Sequence, residues 1–430
     1  MVPHLQTALK GPLLDLERRI LDATPRIERW FRLEWQEHTP PFYCSVDLRN
    51  AGFKIAPIDT NLFPAGFDLL SREMLPLAVQ AAMAAIEKYC PDARNLLLIP
   101  QRGATDPAYL THLARLASVL RQTGLHVRFG NLDAARGESV MIELPDGGSL
   151  RLEPLVRQGR RLGLDGFDPC SILLNDDLAT GEPAILDGLH EQVLLPPLHA
   201  GWRTRRKSNH VAAYAAVSKR FAKLIDVDPW LIGPAHVSVA PANLLTGEGE
   251  ARLVRSVDTV LRQVRAKYRE LRIRETPFVV LKPDAGSHGA DVVTLRSTAD
   301  VRALPHDARL RLSAGSDDDG AVGILVQEGV HTMESVEGAS SEPVVYMVDR
   351  FVVGGYYRTH ARRNRDESLD APGGRIVPLP FDSSCLMPDA SAGPEAGANR
   401  FYAYGVIARL ALLAAAIELE QTDPDQSLYG

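Results

Sequence analysis

The segment Lys282-Pro-Asp-Ala-Gly-Ser-His-Gly289 combines a lysine with glycines and small polar residues. Apolar runs precede and follow it, so we predict a β-hairpin. A P-loop is excluded, because the spacing Gly-x-x-x-x-Gly-Lys-Ser is absent and no helix follows to receive a phosphate. A glycine hairpin can still fold over a triphosphate, since Gly286 and Gly289 let backbone N–H groups approach the oxygens and Lys282 supplies a positive charge. We predict nucleotide contacts from this hairpin, including Ser287, with a plain polar turn as the alternative.

A second candidate segment is Tyr356-Tyr-Arg-Thr-His-Ala-Arg362. Every second residue of a β-strand shares a face, so Arg358, His360 and Arg362 would form a row of cations beside Tyr356. Such a row suits a triphosphate or an acyl phosphate, and we predict that Arg358 acts there together with Lys282. A solvated edge strand, charged to prevent aggregation, is the alternative.

An acidic loop, Arg365-Asp-Glu-Ser-Leu-Asp-Ala-Pro-Gly373, follows that strand directly. Hard cations such as Mg²⁺ prefer carboxylate oxygens together with phosphate oxygens. We therefore predict Glu367 and Asp370 as metal ligands. A solvated acidic loop explains the same residues.

The polar pair Gln327-Glu328 interrupts an apolar strand. At a strand end, this carboxylate could bind a ribose hydroxyl; a buried salt bridge is the alternative.

Four cations lie within the five positions from Arg203 to Lys207. We predict that this run, through Arg206, Lys207 and the nearby His210, binds an anionic substrate group, with a solvated charge run as the alternative.

The elements that must position these residues follow from hydrophobic periodicity. Between about 68 and 200, helices near 71–89 and 107–122 alternate with strands at 95–100, 126–129, 171–174 and 192–195, which indicates an α/β layer with a partly parallel sheet. From 277 onward strands dominate, as in an α+β arrangement. We predict an N-terminal α/β substrate-binding region, 1–270, and a nucleotide-binding region, 271–430.

Composition limits the class of protein. The chain has 430 residues, enough for two or three domains, and an ordinary hydrophobic fraction of 45%. Its net charge of −6 argues against nucleic acid as a partner. The four cysteines form no Cys-x-x-Cys pair, so we predict free thiols in a cytoplasmic protein. No secretory signal and no membrane span is expected. The sequence does not determine the oligomeric state, and a homo-oligomer is compatible with it.

Several longer blocks resemble the proteobacterial type of glutamate-cysteine ligase. They are Tyr43–Phe67, Arg206-Lys-Ser-Asn-His210, Glu342-Pro-Val-Val-Tyr-Met-Val-Asp-Arg350 and Asn399-Arg-Phe-Tyr-Ala-Tyr-Gly405. The resemblance extends from about residue 30 to the C-terminus. It implies an ATP-grasp-like nucleotide-binding half, ATP and Mg²⁺ as cofactors, and the joining of glutamate's side-chain carboxylate to the amine of cysteine, the first step of glutathione synthesis.

By the same resemblance, the Lys282 hairpin and Arg358 contact ATP. Position and polarity within the first block then predict amino-acid recognition by Asp47, Arg49, Asn50, Lys54, Asp59 and Asn61.

The sequence departs from the family pattern at three places. Pro283, Ser287 and His288 replace residues of the expected Lys-Ala-Asp-Ala-Gly-Thr-Tyr-Gly hairpin. The acidic loop has Ser368 and Asp370 where two asparagines are expected. The segment 101–106 reads Gln-Arg-Gly-Ala-Thr-Asp instead of Glu-Ser-His-Thr-Arg-Asn. This third change leaves open a ligase of the same chemistry with another acid or amine. A nucleotide-binding homologue without turnover is a separate alternative.

Overall fold

A computed structural model describes residues 12–133, 138–286, 292–313, 322–378 and 401–425, and it has a mixed α/β architecture. The helices are α1 (Pro12–Asp22), α2 (Thr24–Glu37), α3 (Leu75–Tyr89), α4 (Pro107–Gln122), α5 (Lys207–Ile225), α6 (Glu250–Glu270), α7 (Thr298–Arg302), α8 (His306–Ser313) and α9 (Phe401–Thr422). The strands are β1 (Tyr43–Asn50), β2 (Ile55–Asn61), β3 (Asn95–Pro100), β4 (His126–Asn131), β5 (Val140–Glu143), β6 (Ser149–Pro154), β7 (Val156–Gln158), β8 (Arg161–Gly163), β9 (Ser171–Asn175), β10 (Val193–Leu195), β11 (His236–Val239), β12 (Val279–Pro283), β13 (Val293–Leu295), β14 (Ile324–Glu328), β15 (Ser335–Val336), β16 (Ala339–Val348), β17 (Phe351–His360) and β18 (Arg375–Pro378).

The large sheet is antiparallel and joins the two ends of the chain. Its order is β18-β17-β16-β1-β2, with β15 beside β16. The polar N-terminal block forms its strands β1 and β2, and β1 pairs with β16 from Tyr43↔Val348 to Asp47↔Val344. Strands from both sides of residue 270 therefore share one sheet, so the predicted regions 1–270 and 271–430 do not separate the sheets from each other.

The second sheet follows the alternation seen in the sequence. Its order is β10-β9-β3-β4-β6-β5, and β3 pairs in parallel with both β4 and β9. The helices α3 and α4 alternate with its strands along the chain. The prediction of an α/β layer with a partly parallel sheet is confirmed for this part of the molecule.

The third sheet carries the glycine hairpin. Its order is β11-β14-β12-β13, and β12 and β13 pair antiparallel from Val279↔Leu295 to Leu281↔Val293. Lys282 therefore lies at the end of the first hairpin strand, as predicted. The strand β11 precedes residue 270 and pairs with β14, so this sheet also crosses the predicted boundary.

The large sheet buries both of its faces. On β16, Val344 and Tyr346 belong to a core shared with α3 and α4, whereas Val345 and Met347 belong to a core shared with α1, α2 and α9. This alternation is the two-residue period of a strand. Among the described helices, α9 alone is long and apolar enough to cross a membrane, but 89% of its apolar window is buried inside the protein.

The cysteines differ from the sequence prediction. Cys90 and Cys170 form a disulfide with their Cα atoms 6.8 Å apart, although they are 80 residues apart in sequence. The reason is the parallel pairing Leu96↔Ser171, which brings the end of α3 beside the start of β9. The free-thiol prediction is therefore wrong for this pair. Cys44 is a buried free thiol, and Cys385 lies outside the described residues.

Candidate functional site

Nine of the predicted site residues line a cavity between the large sheet and the third sheet, here called the central cavity. Its polar lining comes from Asp47, Arg49, Asp59, Lys207, Lys282, Gln327, Glu328, Glu342, Arg358, Asp366, Ser368 and Asp370. Ile58, Val280, Val292 and Val330 add apolar walls. A site with apolar walls and a few convergent charges suits a cofactor or a small substrate.

Arg358 lies at the centre of the charged wall. It stands opposite Glu342 in the pairing of β17 with β16, and its Nη1 donates to Glu342 Oε1 at 2.9 Å and to Asp47 Oδ2 at 2.6 Å. Its side chain is 16% exposed. Burial lowers the pKa of Arg358, but Asp47 and Glu342 outweigh burial, so the net direction is upward. The guanidinium is a fixed, permanently charged group that faces the cavity.

Asp47 is a carboxylate of this wall whose pKa is raised. Burial raises its pKa to about 6, Arg358 opposes this rise, and Glu342 and Asp59 add to it. Asp59 is its direct partner in the register of β1 and β2, so two carboxylates lie side by side. Like charges in contact are unfavourable, which favours a cation between them.

Lys282 projects from the hairpin strand into the same cavity. Its Nζ donates to the carbonyl oxygen of Ile58 at 2.5 Å. Burial lowers the pKa of Lys282, and the charges of Asp59 and Asp47 oppose that change. The lysine joins the large sheet to the third sheet and leaves its ammonium beside the charged wall.

The base of the hairpin is anchored to the N-terminus of α5. Ser208 donates from its backbone N and its hydroxyl to the two carboxylate oxygens of Asp284, both at 2.7 Å. Lys207 Nζ donates to the carbonyl oxygens of Pro283, at 3.1 Å, and of Gly286. Burial lowers the pKa of Lys207 to about 8, against the attraction of Asp59. Part of the predicted anion-binding run therefore holds the hairpin.

A smaller side cavity adjoins the central one. Asp59, Lys207, Lys282 and Gln327 line both. His210 lines only the smaller of the two and contacts Glu418 Oε2 at 3.0 Å. Three residues predicted to bind substrate therefore line the side cavity: Asp59, Lys207 and His210.

Arg205 and Arg206 of the basic run have structural roles. Arg205 forms a buried pair with Glu418, Nη2 to Oε2, at 2.8 Å. Burial alone would raise the pKa of Glu418, but Arg205 and His210 lower it to about 2. Arg206 donates to the carbonyl oxygens of Arg203 and Thr204, at 2.8 and 2.9 Å, and lines neither cavity. Its predicted substrate contact is therefore not supported by its position.

The acidic loop presents alternate residues to the central cavity. Asp366, Ser368 and Asp370 line it, and Asp370 Oδ1 lies 3.9 Å from Arg358 Nε. Glu367 points the other way and accepts from the backbone N of Asn364 at 2.7 Å. Of the two predicted metal ligands, the structure places only Asp370 at the cavity. No group of three or more His, Cys, Asp or Glu side chains poised for a metal occurs among the described residues.

Arg49 forms hydrogen bonds to three parts of the cavity. Its Nε donates to Glu342 Oε2 at 2.8 Å, its Nη1 to the Val330 carbonyl at 3.0 Å and its Nη2 to the Glu367 carbonyl at 2.6 Å. These bonds connect β16, the end of the third sheet and the acidic loop. Arg49 was predicted to bind substrate; its three donor nitrogens are instead engaged within the protein.

Lys54 and Glu328 form the salt bridge that the sequence left as the alternative at this strand end. Their side chains are 0% exposed, with Lys54 Nζ 3.0 Å from Glu328 Oε2. The same oxygen accepts from Trp230 Nε1 at 3.0 Å and from the Ala235 backbone N at 2.9 Å. Lys54 lines neither cavity. The predicted substrate contact of Lys54 is corrected to a role in the core. Glu328 Oε1, in contrast, has no hydrogen-bond partner among the described residues.

Six more predictions change or fall outside the described residues. Asn50 is buried and donates to the Tyr404 hydroxyl at 2.8 Å, and Asn61 accepts from the Phe63 backbone N at 2.9 Å, so both have local structural roles. The cation row reduces to Arg358, because His360 is buried and β17 ends there. Gly286 has φ +92° and donates its N–H to the Trp202 carbonyl at 3.0 Å. Ser287 and Gly289 are not among the described residues.

Glu342 is the important residue that sequence reasoning missed. It lies at the start of the apolar run of β16 and is 1% exposed. A carboxylate next to buried valines was a usable signal, because such a group must be paired. Its partners, Arg49 and Arg358, were each identified, but the strand register that joins them comes from long-range pairing.

Comparisons with known proteins agree on one family. The model of the Glutamate-cysteine ligase family matches residues 17–419. A crystal structure from Methylobacillus flagellatus KT, provisionally described as a gamma-glutamylcysteine synthetase, is 51% identical with a TM-score of 0.89, covering 98% of this chain and 100% of that chain. Curated proteins gave no match.

Two other solved structures are much less similar. D-cycloserine synthetase DcsG is 14% identical, with a TM-score of 0.37 and coverage of 76% of this chain and 82% of its own. D-alanyl-alanine synthetase A from Vibrio cholerae is 10% identical, with a TM-score of 0.32 and coverage of 74% and 81%. Scores this low carry no argument about the fold or the chemistry.

Proposed function

The chain belongs to the glutamate-cysteine ligase family, and on that premise we propose that its central cavity is where ATP activates the side-chain carboxylate of glutamate for attack by the amine of cysteine. The product is γ-glutamylcysteine, and the reaction begins glutathione biosynthesis. The observation that carries this assignment is Arg358, fixed between Asp47 and Glu342 in the cavity that Lys282 enters.

The nucleotide lies between the large sheet and the third sheet in this proposal, an ATP-grasp-like arrangement. The apolar part of the central cavity, with Val280, Val292 and Val330, suits a base. Gln327 and Glu328 end the strand beside it, and each has a buried oxygen without a partner among the described residues. An exocyclic amine or a ribose hydroxyl would supply the missing donor. The triphosphate would then extend toward Lys282 and Arg358.

Mg²⁺ fits the donor set of this cavity. Carboxylates outnumber cations along its lining, so a triphosphate placed there needs added positive charge. Asp370 is the residue that we propose to hold the ion together with phosphate oxygens, and its side chain is 63% exposed. The ion would supply charge neutralisation on the phosphoryl oxygens.

Activation is needed because a free carboxylate would have to expel hydroxide. Transfer of the γ-phosphoryl group to a glutamate oxygen gives an acyl phosphate and ADP. The neutral amine of cysteine then forms the C–N bond, the carbon–oxygen bond to phosphate breaks, and the amine loses a proton. Lys282 and Arg358 stabilise the charge on the transferred group, and Arg358 needs little reorganisation because its two carboxylates already fix it.

The direct test uses purified protein with ATP, Mg²⁺, glutamate and cysteine. Phosphate release and the product mass together report the reaction. We expect equimolar phosphate and γ-glutamylcysteine, and loss of both in Arg358→Met. ATP hydrolysis without dipeptide in the wild-type protein would refute the assignment.

A second candidate is the same chemistry with another acid or amine. The observation in its favour is the segment 101–106, which departs from the family pattern and lies at a cavity of its own. The same assay with other amino-acid pairs distinguishes the two candidates, because only one pair should couple phosphate release to a product.

A further inference from the structure

A third cavity, here called the loop cavity, opens on the same face of the large sheet as the central cavity. Tyr356 of β17 and Ile376 of β18 line it. Ile376 stands directly opposite Arg358 in the pairing of these strands, and Tyr356 is two residues before Arg358 on the same strand. Residues opposite each other, and residues two apart, share a face. The loop cavity therefore begins next to the guanidinium of Arg358.

The other wall of the loop cavity is the carboxyl end of β3. Pro100 ends that strand, and the loop from Gln101 to Asp106 lines the cavity. Ligands of sheets with parallel strands bind outside the carboxyl ends of those strands. Here that edge faces the strand that carries Arg358, so a molecule in the loop cavity could extend one group toward the centre of phosphoryl transfer.

Hydrogen bonds hold the loop in place. Arg102 donates from its backbone N and its Nε to Asp176 Oδ2, at 3.0 and 3.1 Å, and from Nη2 to the Gly181 carbonyl at 2.9 Å. The Gln101 backbone N donates to the Tyr109 hydroxyl at 2.8 Å. The Arg102 side chain is 27% exposed. Its bonds to the described residues come from the backbone N, Nε and Nη2, and none comes from Nη1. Arg102 is a preorganised cation with one free edge, which suits a carboxylate.

An opposite charge lies in the same cavity. Asp68 lines it, beside Gly66. Within the described part of the chain, no lysine or arginine forms an ion pair with Asp68, and burial raises its pKa against its own backbone N–H and the charge of Arg115. A carboxylate in this position gains a partner if an ammonium group enters. One cation and one anion at a cavity match the two charged groups of an amino acid's α-carbon.

We propose that the loop cavity binds the α-amino-acid end of the acidic substrate, with Arg102 on its α-carboxylate and Asp68 on its α-ammonium group. The side-chain carboxylate then points past Tyr356 to Arg358, where it is phosphorylated. This inference rests on the proposed function and extends it, because the amino-acid contacts move from the N-terminal block to the loop after β3. It also explains how a ligase could choose between the two carboxylates of glutamate.

Truncated substrates test the two contacts separately. Glutarate lacks only the α-ammonium group of glutamate, and 4-aminobutyrate lacks only the α-carboxylate. The measured quantity is the ratio of kcat/KM for glutamate to that for each analogue, from phosphate release with cysteine and ATP. Calorimetric titration of each ligand gives the same ratio for binding, without turnover.

Asp68→Asn should lower the preference for glutamate over glutarate, and Arg102→Gln the preference over 4-aminobutyrate, each by about 10- to 100-fold, since each loses one charged hydrogen bond. KM for ATP should stay unchanged. If Arg102→Gln does not fold because Asp176 loses its partner, Arg102→Lys is measured instead. Its single ammonium keeps the pair with Asp176 and leaves no second donor for the α-carboxylate, so the preference over 4-aminobutyrate should fall in the same way.

The matched control is Arg128→Gln. Arg128 belongs to the same sheet, is 24% exposed and pairs with Glu153, but it does not line the loop cavity. Its ratios should equal those of the wild-type protein. Unchanged ratios in both Asp68→Asn and the Arg102 variant would overturn the inference. Failure of the wild-type protein to couple glutamate to cysteine would instead refute the proposed function.

Discussion

Replacing Lys54 with Met tests whether this lysine belongs to the core or to a ligand site. Lys54 contacts Glu328 Oε2 at 3.0 Å and the Gly233 carbonyl at 2.9 Å, and its Nζ lies 3.9 Å from the centroid of the Trp230 ring. Both charged side chains are 0% exposed. Lys54→Met leaves the carboxylate of Glu328 buried without its counter-charge.

Removing one partner of a buried ion pair costs about 3–5 kcal/mol, because the other charge stays desolvated. A chain of 430 residues unfolds with an entropy of about 0.9 kcal/mol/K. The expected fall in Tm is therefore about 3–6 °C. Lys54→Met combined with Glu328→Gln should recover most of this loss, because the amide oxygen can still accept from Trp230 and no charge remains.

Thermal unfolding followed by circular dichroism measures the effect. The control is Lys267→Met, which removes a lysine from a pair with Asp228 whose side chains are 30% and 33% exposed. That change should cost no more than about 1 kcal/mol. KM for ATP and both amino acids should be unchanged in folded Lys54→Met. A wild-type Tm together with weakened substrate binding would refute the assignment of Lys54 to the core.

Three further changes probe the central cavity. Asp370→Ala should raise the Mg²⁺ concentration needed for half-maximal activity, whereas Glu367→Gln should not, and equal effects would contradict the orientation of the acidic loop. Because burial lowers the pKa of Lys207 to about 8, affinity for ATP should fall as pH rises through 8, and Lys207→Arg should move that fall to higher pH. Because the pKa of Asp47 is raised to about 6, its ionised form destabilises the fold; Asp47→Asn should therefore raise Tm at pH 7 while lowering activity, and its gain in Tm should shrink as pH falls from 6 toward 4. Melting curves across pH measure this last effect, and a gain that does not depend on pH would contradict it.

The local sequence pattern was sufficient to predict the bounds of helices and strands that depend only on neighbouring residues. β3 occupies 95–100 and α4 occupies 107–122, as predicted. In α4, Asp106 caps the first turn by accepting from the Tyr109 backbone N at 3.2 Å, and Pro107 fits the first helical position. These features need only a few neighbouring residues, so they are visible in the sequence.

The partners of polar residues were not visible in the same way. Lys54, Asn50 and Asp47 are all polar residues of one block, yet Lys54 is in the core, Asn50 bonds to Tyr404, and Asp47 lines the central cavity. Which of these roles a residue has depends on its contacts with residues hundreds of positions away in the sequence. Composition cannot distinguish a buried pair from a binding group, because both need the same residue types.

The same limit applies to the predicted boundary near 270. Near this position the predicted pattern changes from alternating helices and strands to strands alone, and this change marks only where one sequence pattern ends. It does not show that β1 returns to pair with β16. The pairing of Glu342 with Arg358 is local to one hairpin, but its meaning for the site depends on Asp47 from the other end of the chain.

The placement of α9 has a consequence for how the protein is made. This helix packs on α1, α2 and the large sheet, and its Glu418 holds Arg205 in a buried pair at 2.8 Å. While the ribosome synthesises the chain, β1 lacks its second partner strand until β16 emerges about three hundred residues later, and α9 reaches this core after both strands. The charged wall of the central cavity thus forms only after both Asp47 and Arg358 have been synthesised. A nascent chain that stops before α9 leaves Arg205 without Glu418, and it should be a target for chaperones instead of a partly active enzyme.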